Sequence, residues 1–525
     1  MKKVFSIVFL ISLVLFIQGC KVEQLGKNAL DSNYTQSNVQ VTIQDNSKNH
    51  VHASGQAFTI DITAKYSNTA KLYYFWTDFR GRQYSQPVVL LSGQKKTIKS
   101  PDDQVGYYGL TLQPENDSLV LPERQAGEAR EYGFVILTPK TTLERITNAK
   151  SPFGIVQADF NDPYIPTWVK TTTWKTFSPD EWAGEMQQRR DLGVIELPLI
   201  LDDEWYSDDK KPISAQQLSS LEIKIKRYFS ADLAIKFWEL GLEENLEARF
   251  NDSYYWKNLE AKTKIIRQVA NAVNPEIKLI YQIAELDLKP IQAFLQSTAA
   301  QYFDVLSLHP YAWPDFKSPE LWLPDYLDGV RQLLEQENRP NMLIWFTEVG
   351  APENRNYPGG FFGYPESGDS VKGLNAKEVS GYLIKIHVLA LNLGVEKVFW
   401  YNYQDNGKSR NYAEDNFGMR DFWGFPKPVY ASYINMYANL YQKLPLAIRT
   451  IPNNILVYPF ESANEVVLVI WSKTDTEQLI ALSSLQDGLV LADIIDIVNT
   501  VGTPMVIEND VIPISTNPVF VRIKK

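Results

Sequence analysis

Lys236-Phe-Trp-Glu-Leu-Gly-Leu-Glu-Glu-Asn-Leu246 decides the fold of this chain. The apolar run Ile235 to Leu240 reads as a strand that breaks at Gly241 and delivers two carboxylates, Glu243 and Glu244, at its exit. The pattern returns in Met342-Leu-Ile-Trp-Phe-Thr-Glu-Val-Gly350, where a second apolar strand ends on Glu348 with a glycine two residues on. Either acid alone reads as an ordinary solvated loop residue or helix cap. Two acids at the carboxyl ends of separate parallel strands are what retaining cleavage of a glycosidic bond needs.

On both sides of these strands the chain alternates strand and helix. Phe153-Gly-Ile-Val-Gln-Ala158 reads as the first strand. Ser178-Pro-Asp-Glu-Trp182 starts a helix running to Leu192: an N-cap serine, proline at the first helical position, acids in the first turn. Gly193 to Ile200 is the next strand, and a helix from about Ala215 to Tyr228 leads into the quoted stretch. Helices follow at Tyr254–Val273, Pro290–Ala300, Asp325–Gln336, Ala376–Leu393 and Val429–Tyr441. Strands lie among them at Ile277–Tyr281, Asp304–Tyr311 and Lys397–Asn402, besides the Glu348 strand. This grammar, with acids at several strand exits, predicts a (β/α)8 TIM barrel over 150–445 in an α/β chain, although only seven strands can be counted.

The flanks read differently. Period-two alternation at Val39–Ile43, Phe58–Thr63, Leu72–Trp76, Tyr107–Leu112 and Tyr132–Leu137 predicts an N-terminal β-sandwich over 39–145. Alternation returns after Pro445, at Ile455–Tyr458, Val466–Trp471 and Pro518–Ile523, and predicts a small β-domain over 446–525. At the start, Lys2-Lys3 precede the apolar run Val4 to Ile17, a secretory leader too short for a permanent span. The chain's one cysteine, Cys20, closes Ile17-Gln-Gly-Cys20, so residues 1–20 read as a lipoprotein signal peptide and 21–38 as a flexible tether. Lipidation of Cys20 would anchor the protein in the bacterial cell envelope; with Lys21 next and no retention aspartate, a Gram-negative source would place it in the outer membrane.

A net charge of −10 argues against nucleic acid as a partner. Four histidines and one cysteine leave no cluster at metal-ligand spacing, and no glycine motif cradles a phosphate, so no metal and no cofactor are expected. The 28 tyrosines and 13 tryptophans suit large cores and also sugar-stacking platforms, so a carbohydrate substrate fits the composition.

At these residues the barrel resembles the clan of retaining glycoside hydrolases with catalytic acids on strands four and seven, and most of all family 39. Trp238-Glu-Leu-Gly-Leu-Glu243, Phe303-Asp-Val-Leu-Ser-Leu-His-Pro-Tyr311, Trp345-Phe-Thr-Glu348-Val-Gly, Phe399-Trp-Tyr401, Phe417-Gly-Met and Lys427-Pro-Val-Tyr-Ala-Ser-Tyr433 carry the likeness in order. The resemblance spans roughly 150 to 525. It implies Glu243 as general acid/base and Glu348 as nucleophile, with Glu244 the alternative acid. It also implies His309 and Tyr311 beside the sugar or Glu348, Trp400 as the floor under the cleaved sugar, and Trp313 with the Phe361-Phe362 loop extending the groove. Two departures stand out: Leu242 replaces the asparagine usual before the acid/base, and Pro198 stands where the second strand usually carries arginine. These departures motivate an alternative from another class, a catalytically degenerate carbohydrate-binding or scaffolding lipoprotein. The sugar, the linkage and the oligomeric state are not written in the sequence.

Overall fold

The computed structural model describes residues 36–525 except 48, 68, 125, 138–149, 165–167, 174–178, 201–204, 206–208, 354–372, 411, 452–453, 486–493 and 508. Cys20, the tether as far as residue 35 and the Phe361-Phe362 loop lie outside the described residues.

Eight parallel strands close into a barrel: β1 (Phe153–Val156), β2 (Trp168–Thr173), β3 (Ile195–Ile200), β4 (Phe237–Leu240), β5 (Lys278–Ala284), β6 (Val305–His309), β7 (Leu343–Val349) and β8 (Lys397–Trp400), with β8 pairing back onto β1. The helices around it are α1 (Pro179–Asp191), α2 (Ala215–Ala231), α3 (Tyr255–Val273), α4 (Leu288–Gln296), α5 (Leu323–Gln336), α6 (Ala376–Asn392) and α7 (Pro428–Leu440). Their starts follow the capping chemistry. Ser214 and Gln217 form a capping box on α2, and Asn375 and Glu378 do so on α6.

The strand missing from the sequence reading is β2, Trp168-Val-Lys-Thr-Thr-Thr173. It lies between β1 and β3, so Pro198 belongs to the third strand, opposite Thr171, and not to the second. A strand buried on both faces usually reads as a continuous apolar run. This one holds a lysine and three threonines, and its signal is β-branching instead.

Alternation along the strands sorts side chains between barrel interior and helix layer. Val156, Trp168, Leu197, Ile280, Val305, Trp345 and Phe399 form an apolar cluster separate from the main core, with Phe237 and Leu343 packed against it. Two residues further along their strands, Lys170, Glu239, Gln282, Ser307 and Thr347 make a polar layer that is almost wholly buried. This layer underlies the site.

The flanking sheets are present. Between 40 and 137, a three-stranded and a five-stranded sheet enclose a core that includes Ile62, Leu72, Leu110 and Phe134. Between 444 and 524, a six-stranded and a two-stranded sheet enclose Val457, Leu468, Ile512 and Val521. The N-terminal sheets dock on the loop after β8: His50 stacks on Phe425 at 4.1 Å, and Arg420 donates to the Asn49 carbonyl at 2.8 Å. Buried Asp162, in the loop after β1, accepts from Tyr403, Tyr430 and Arg420 at 2.7 to 3.0 Å, tying that loop to the one after β8. Among the described residues no helix is long and apolar enough to cross a membrane.

Candidate active site

Glu243 and Glu348 meet over the carboxyl ends of β4 and β7. One carboxylate oxygen of each, and one ring nitrogen of His309 from β6, lie within 4.8 Å of one another. Local backbone features turn both acids inward. The pairing of β7 with β8 shifts register between Phe346 and Val349, bracketing Glu348. Glu243 sits in the left-handed region, φ 44° and ψ 43°, a conformation that costs an ordinary side chain about 1–3 kcal/mol and is characteristic of functional sites.

The two carboxyls have different surroundings. Lys170 of β2, 2% exposed, places its ammonium 2.9 Å from Glu348 Oε1 and 2.6 Å from Glu239 Oε2. Burial works against the charge on Lys170, but these two carboxylates outweigh it and hold the group above its ordinary value. Burial pushes both Glu243 and Glu348 upward. At Glu348 the adjacent ammonium pulls back. Among the described residues Glu243 has no direct cationic contact; on top of burial it faces the charge of Glu348, which outweighs a pull from Lys170 and to which Glu414 and Glu285 add, so it rises well above the carboxyl range. Glu348 remains raised overall, but the ammonium beside it makes it the more readily ionised of the pair, and Glu243 the one that more readily keeps a proton.

His309 is wholly buried, with Nδ1 2.8 Å from Glu243 Oε1 and Nε2 2.9 Å from Thr347 Oγ1. Burial, then the charge on Lys170, holds its pKa well below the ordinary histidine value, so the ring is neutral. Tyr311 reaches Glu348 Oε2 with a long 3.5 Å contact, and its ring stands edge-on to Tyr401 at 6.3 Å. Trp313 is half-buried on the same loop, 5.6 Å from Phe316.

Trp400 does not floor the site. It is fully buried on the outer side of β8, 6.4 Å from both Tyr382 and His387 of α6. Alternation explains the error: Phe399 points into the barrel and Trp400 away from it. The next aromatic, Tyr401, returns inward, partly exposed beside Tyr311, its hydroxyl accepting from Asn406 at 2.8 Å.

Glu244 is not an alternative acid. It is 1% exposed and accepts from Arg249 Nη2 at 2.5 Å and from Trp205 and Tyr255. Arg249 in turn holds Asp209 at 3.1 Å and Glu247 at 2.5 Å. All of these are bonds that stabilise the loop after β4. Leu242, 8% exposed, has no amide to offer a sugar hydroxyl.

The Glu243–His309–Glu348 spacing is compatible with a cation. The Lys170 ammonium already supplies the positive charge at Glu348, and His309 spends both nitrogens on Glu243 and Thr347. These contacts give a metal a poor fit. Lys170, Glu239 and Thr347 were missed in the sequence. The one available signal was a lysine in a β-branched run.

A parallel eight-stranded barrel with acids at the ends of its fourth and seventh strands is thus on view. No family model matches the sequence, and no curated protein does. Among solved structures, a family 39 glycoside hydrolase from the gut symbiont Bacteroides cellulosilyticus WH2 superposes with a TM-score of 0.66 at 17% identity, covering 92% of this chain and all of that one. A GH30 endoxylanase from Clostridium papyrosolvens C71 matches with a TM-score of 0.46 at 10% identity, over 71% of this chain and 96% of its own. The first establishes a shared fold, barrel and flanking β-regions together; the second is too loose to add to it.

Proposed function

We propose that the protein is a retaining glycoside hydrolase acting on an oligosaccharide or polysaccharide. The observation that carries the reading is the Glu243–Glu348 pair, with oxygens within 4.8 Å and unlike surroundings. Retaining enzymes hold their carboxyls about 5 Å apart, whereas inverting ones leave room for a water at about 6.5–9.5 Å. Glu348, held ionised by Lys170, attacks the anomeric carbon. Protonated Glu243 gives its proton to the leaving oxygen, then as carboxylate takes one from the water that releases the sugar. Lys170 takes the place that the sequence comparison left to Pro198, which answers one of the two departures. Lipidation of Cys20 and attachment to the envelope rest on the leader sequence and belong to the same proposal.

Leu242 supports a second reading, a barrel that binds a glycan without cutting it. Product release from a panel of bacterial and plant polysaccharides, wild type beside Glu348→Gln, separates the two. Release by wild type alone supports hydrolysis. Binding to one glycan with no release from any would leave the binding protein.

A further inference from the structure

Behind the two carboxyls runs one unbroken chain of buried polar groups. It leads from Glu348 to Lys170 (2.9 Å), Glu239 (2.6 Å), Thr347 (2.5 Å), His309 (2.9 Å) and Glu243 (2.8 Å). Glu239, Thr347 and His309 are all completely buried, and bond cleavage itself gives none of Lys170, Glu239 or Thr347 a proton to move. We infer that Glu239, anchored by Lys170, fixes the tautomer of His309 through Thr347 and so keeps the proton on Glu243.

The direction of each hydrogen bond follows from what each group can donate. The Glu239 carboxylate only accepts: Oε2 faces the ammonium and Oε1 takes the Thr347 hydroxyl. That hydroxyl has one hydrogen, now spent on Glu239. Its oxygen therefore accepts, from His309 Nε2 and from Ser307 Oγ at 2.5 Å. A neutral imidazole has one N–H, so Nδ1 is left with a lone pair. Nδ1 lies 2.8 Å from Glu243 Oε1, a hydrogen bond only if Glu243 supplies the proton. The charged and titratable groups facing this pair are Lys170 on β2, Glu239 on β4, Glu348 on β7, and Tyr311, Tyr401, Glu285 and Glu414 on the loops. Only Lys170 among them is a cation, and it sits at the far end of the chain.

The consequence for turnover rests on the glycosidase reading. In the first step the bond from the anomeric carbon to the leaving oxygen breaks, the bond to Glu348 forms, and the Glu243 proton goes to the leaving oxygen. The new carboxylate then faces the Nδ1 lone pair, an unfavourable contact that raises its basicity toward the incoming water. In the second step water bonds to carbon, the bond to Glu348 breaks, and the water proton restores Glu243. One ion pair thereby serves both acids: it keeps Glu348 charged by contact and Glu243 protonated by relay.

Long-range 1H–15N NMR of the imidazole rings tests this without any substrate. The chain has four histidines, and His309→Asn assigns the signal. Wild type should show His309 protonated on Nε2. In Glu239→Gln the amide can donate to the Thr347 oxygen, freeing the hydroxyl to turn toward Nε2. The ring should then populate the Nδ1–H form, and the alkaline limb of the rate profile should move down by about one pH unit or more. Thr347→Val leaves the Lys170–Glu239 pair in place and should shift both readouts the same way. Ser307→Ala should leave the tautomer unchanged. A purely structural role would lower the rate at every pH and leave limb and tautomer where they are. Nδ1–H in the wild type, or an unchanged tautomer in both folded variants, overturns the inference. The expected tautomers in a chain that cuts no glycan would sustain the inference and refute the function.

Discussion

Replacing Lys170 with methionine removes the one cation that the described residues supply to a pocket holding Glu239 and Glu348, the first fully buried and the second with a 13% exposed side chain. Unit charges 4 Å apart attract by about 4 kcal/mol at an effective dielectric of about 20, and here the contacts are shorter, at 2.6 and 2.9 Å. Loss of one partner from such a buried pair destabilises a protein by about 3–5 kcal/mol, because the remaining charge is left without compensation. Urea denaturation of Lys170→Met should show a loss of that size. Its acid limb of activity should move up by more than about one pH unit, because Glu348 no longer has an ammonium to favour its charged form. The double variant Lys170→Met/Glu239→Met removes both charges of the inner pair. Well-packed apolar replacements of buried ion pairs are often neutral or stabilising, so stability should return to within about 1 kcal/mol of wild type while the acid limb stays displaced upward. A single variant as stable as wild type, or a double variant no more stable than the single, would refute the reasoning.

Three further outcomes follow from the same geometry. Glu243 has its folded pKa raised above its unfolded value, so its proton favours folding at low pH and that advantage is lost as pH rises past the unfolded value. Glu243→Gln should therefore stabilise the protein by about 0.5–2 kcal/mol at pH 7 and by almost nothing near pH 4, read from denaturation midpoints at both pH values. Trp400→Ala should cost about 3–5 kcal/mol of stability with KM unchanged in the protein that remains folded, whereas Tyr401→Ala should lower kcat/KM with a much smaller effect on folding. Glu244→Gln should destabilise by about 3 kcal/mol or more, since Arg249 loses a buried partner, and should leave the pH dependence of catalysis where it was.

What the sequence disclosed depended on which physical signal each element carries. Strands such as Leu279–Tyr281 and Leu343–Phe346 are apolar on both faces, and α5 and α6 carry clear helical patterns, so the barrel was legible from them. β2 was hidden because the barrel places Lys170 inside, and a buried lysine is tolerable only beside acids from β4 and β7, which are distant in sequence. The paired acids were readable because each ends an apolar run at a glycine. Trp400 was misplaced by one residue of pleat: period-two alternation sends neighbours to opposite faces, and the aromatic triplet Phe399-Trp-Tyr401 gives no mark of which is which. Glu244 differs from Glu243 by partners that no local pattern reveals, Trp205 and Tyr255 among them.

The most direct measurement is the anomeric configuration of the first-formed product, followed by 1H NMR on whichever glycan of the panel is cut. Carboxylate oxygens within 4.8 Å of one another leave no room for a water beneath the sugar, so Glu348 bonds to one face of the anomeric carbon and water displaces it from the opposite face, and the account predicts net retention. Inversion would show that water attacks the bond directly and that Glu348 is not the nucleophile, which would contradict it.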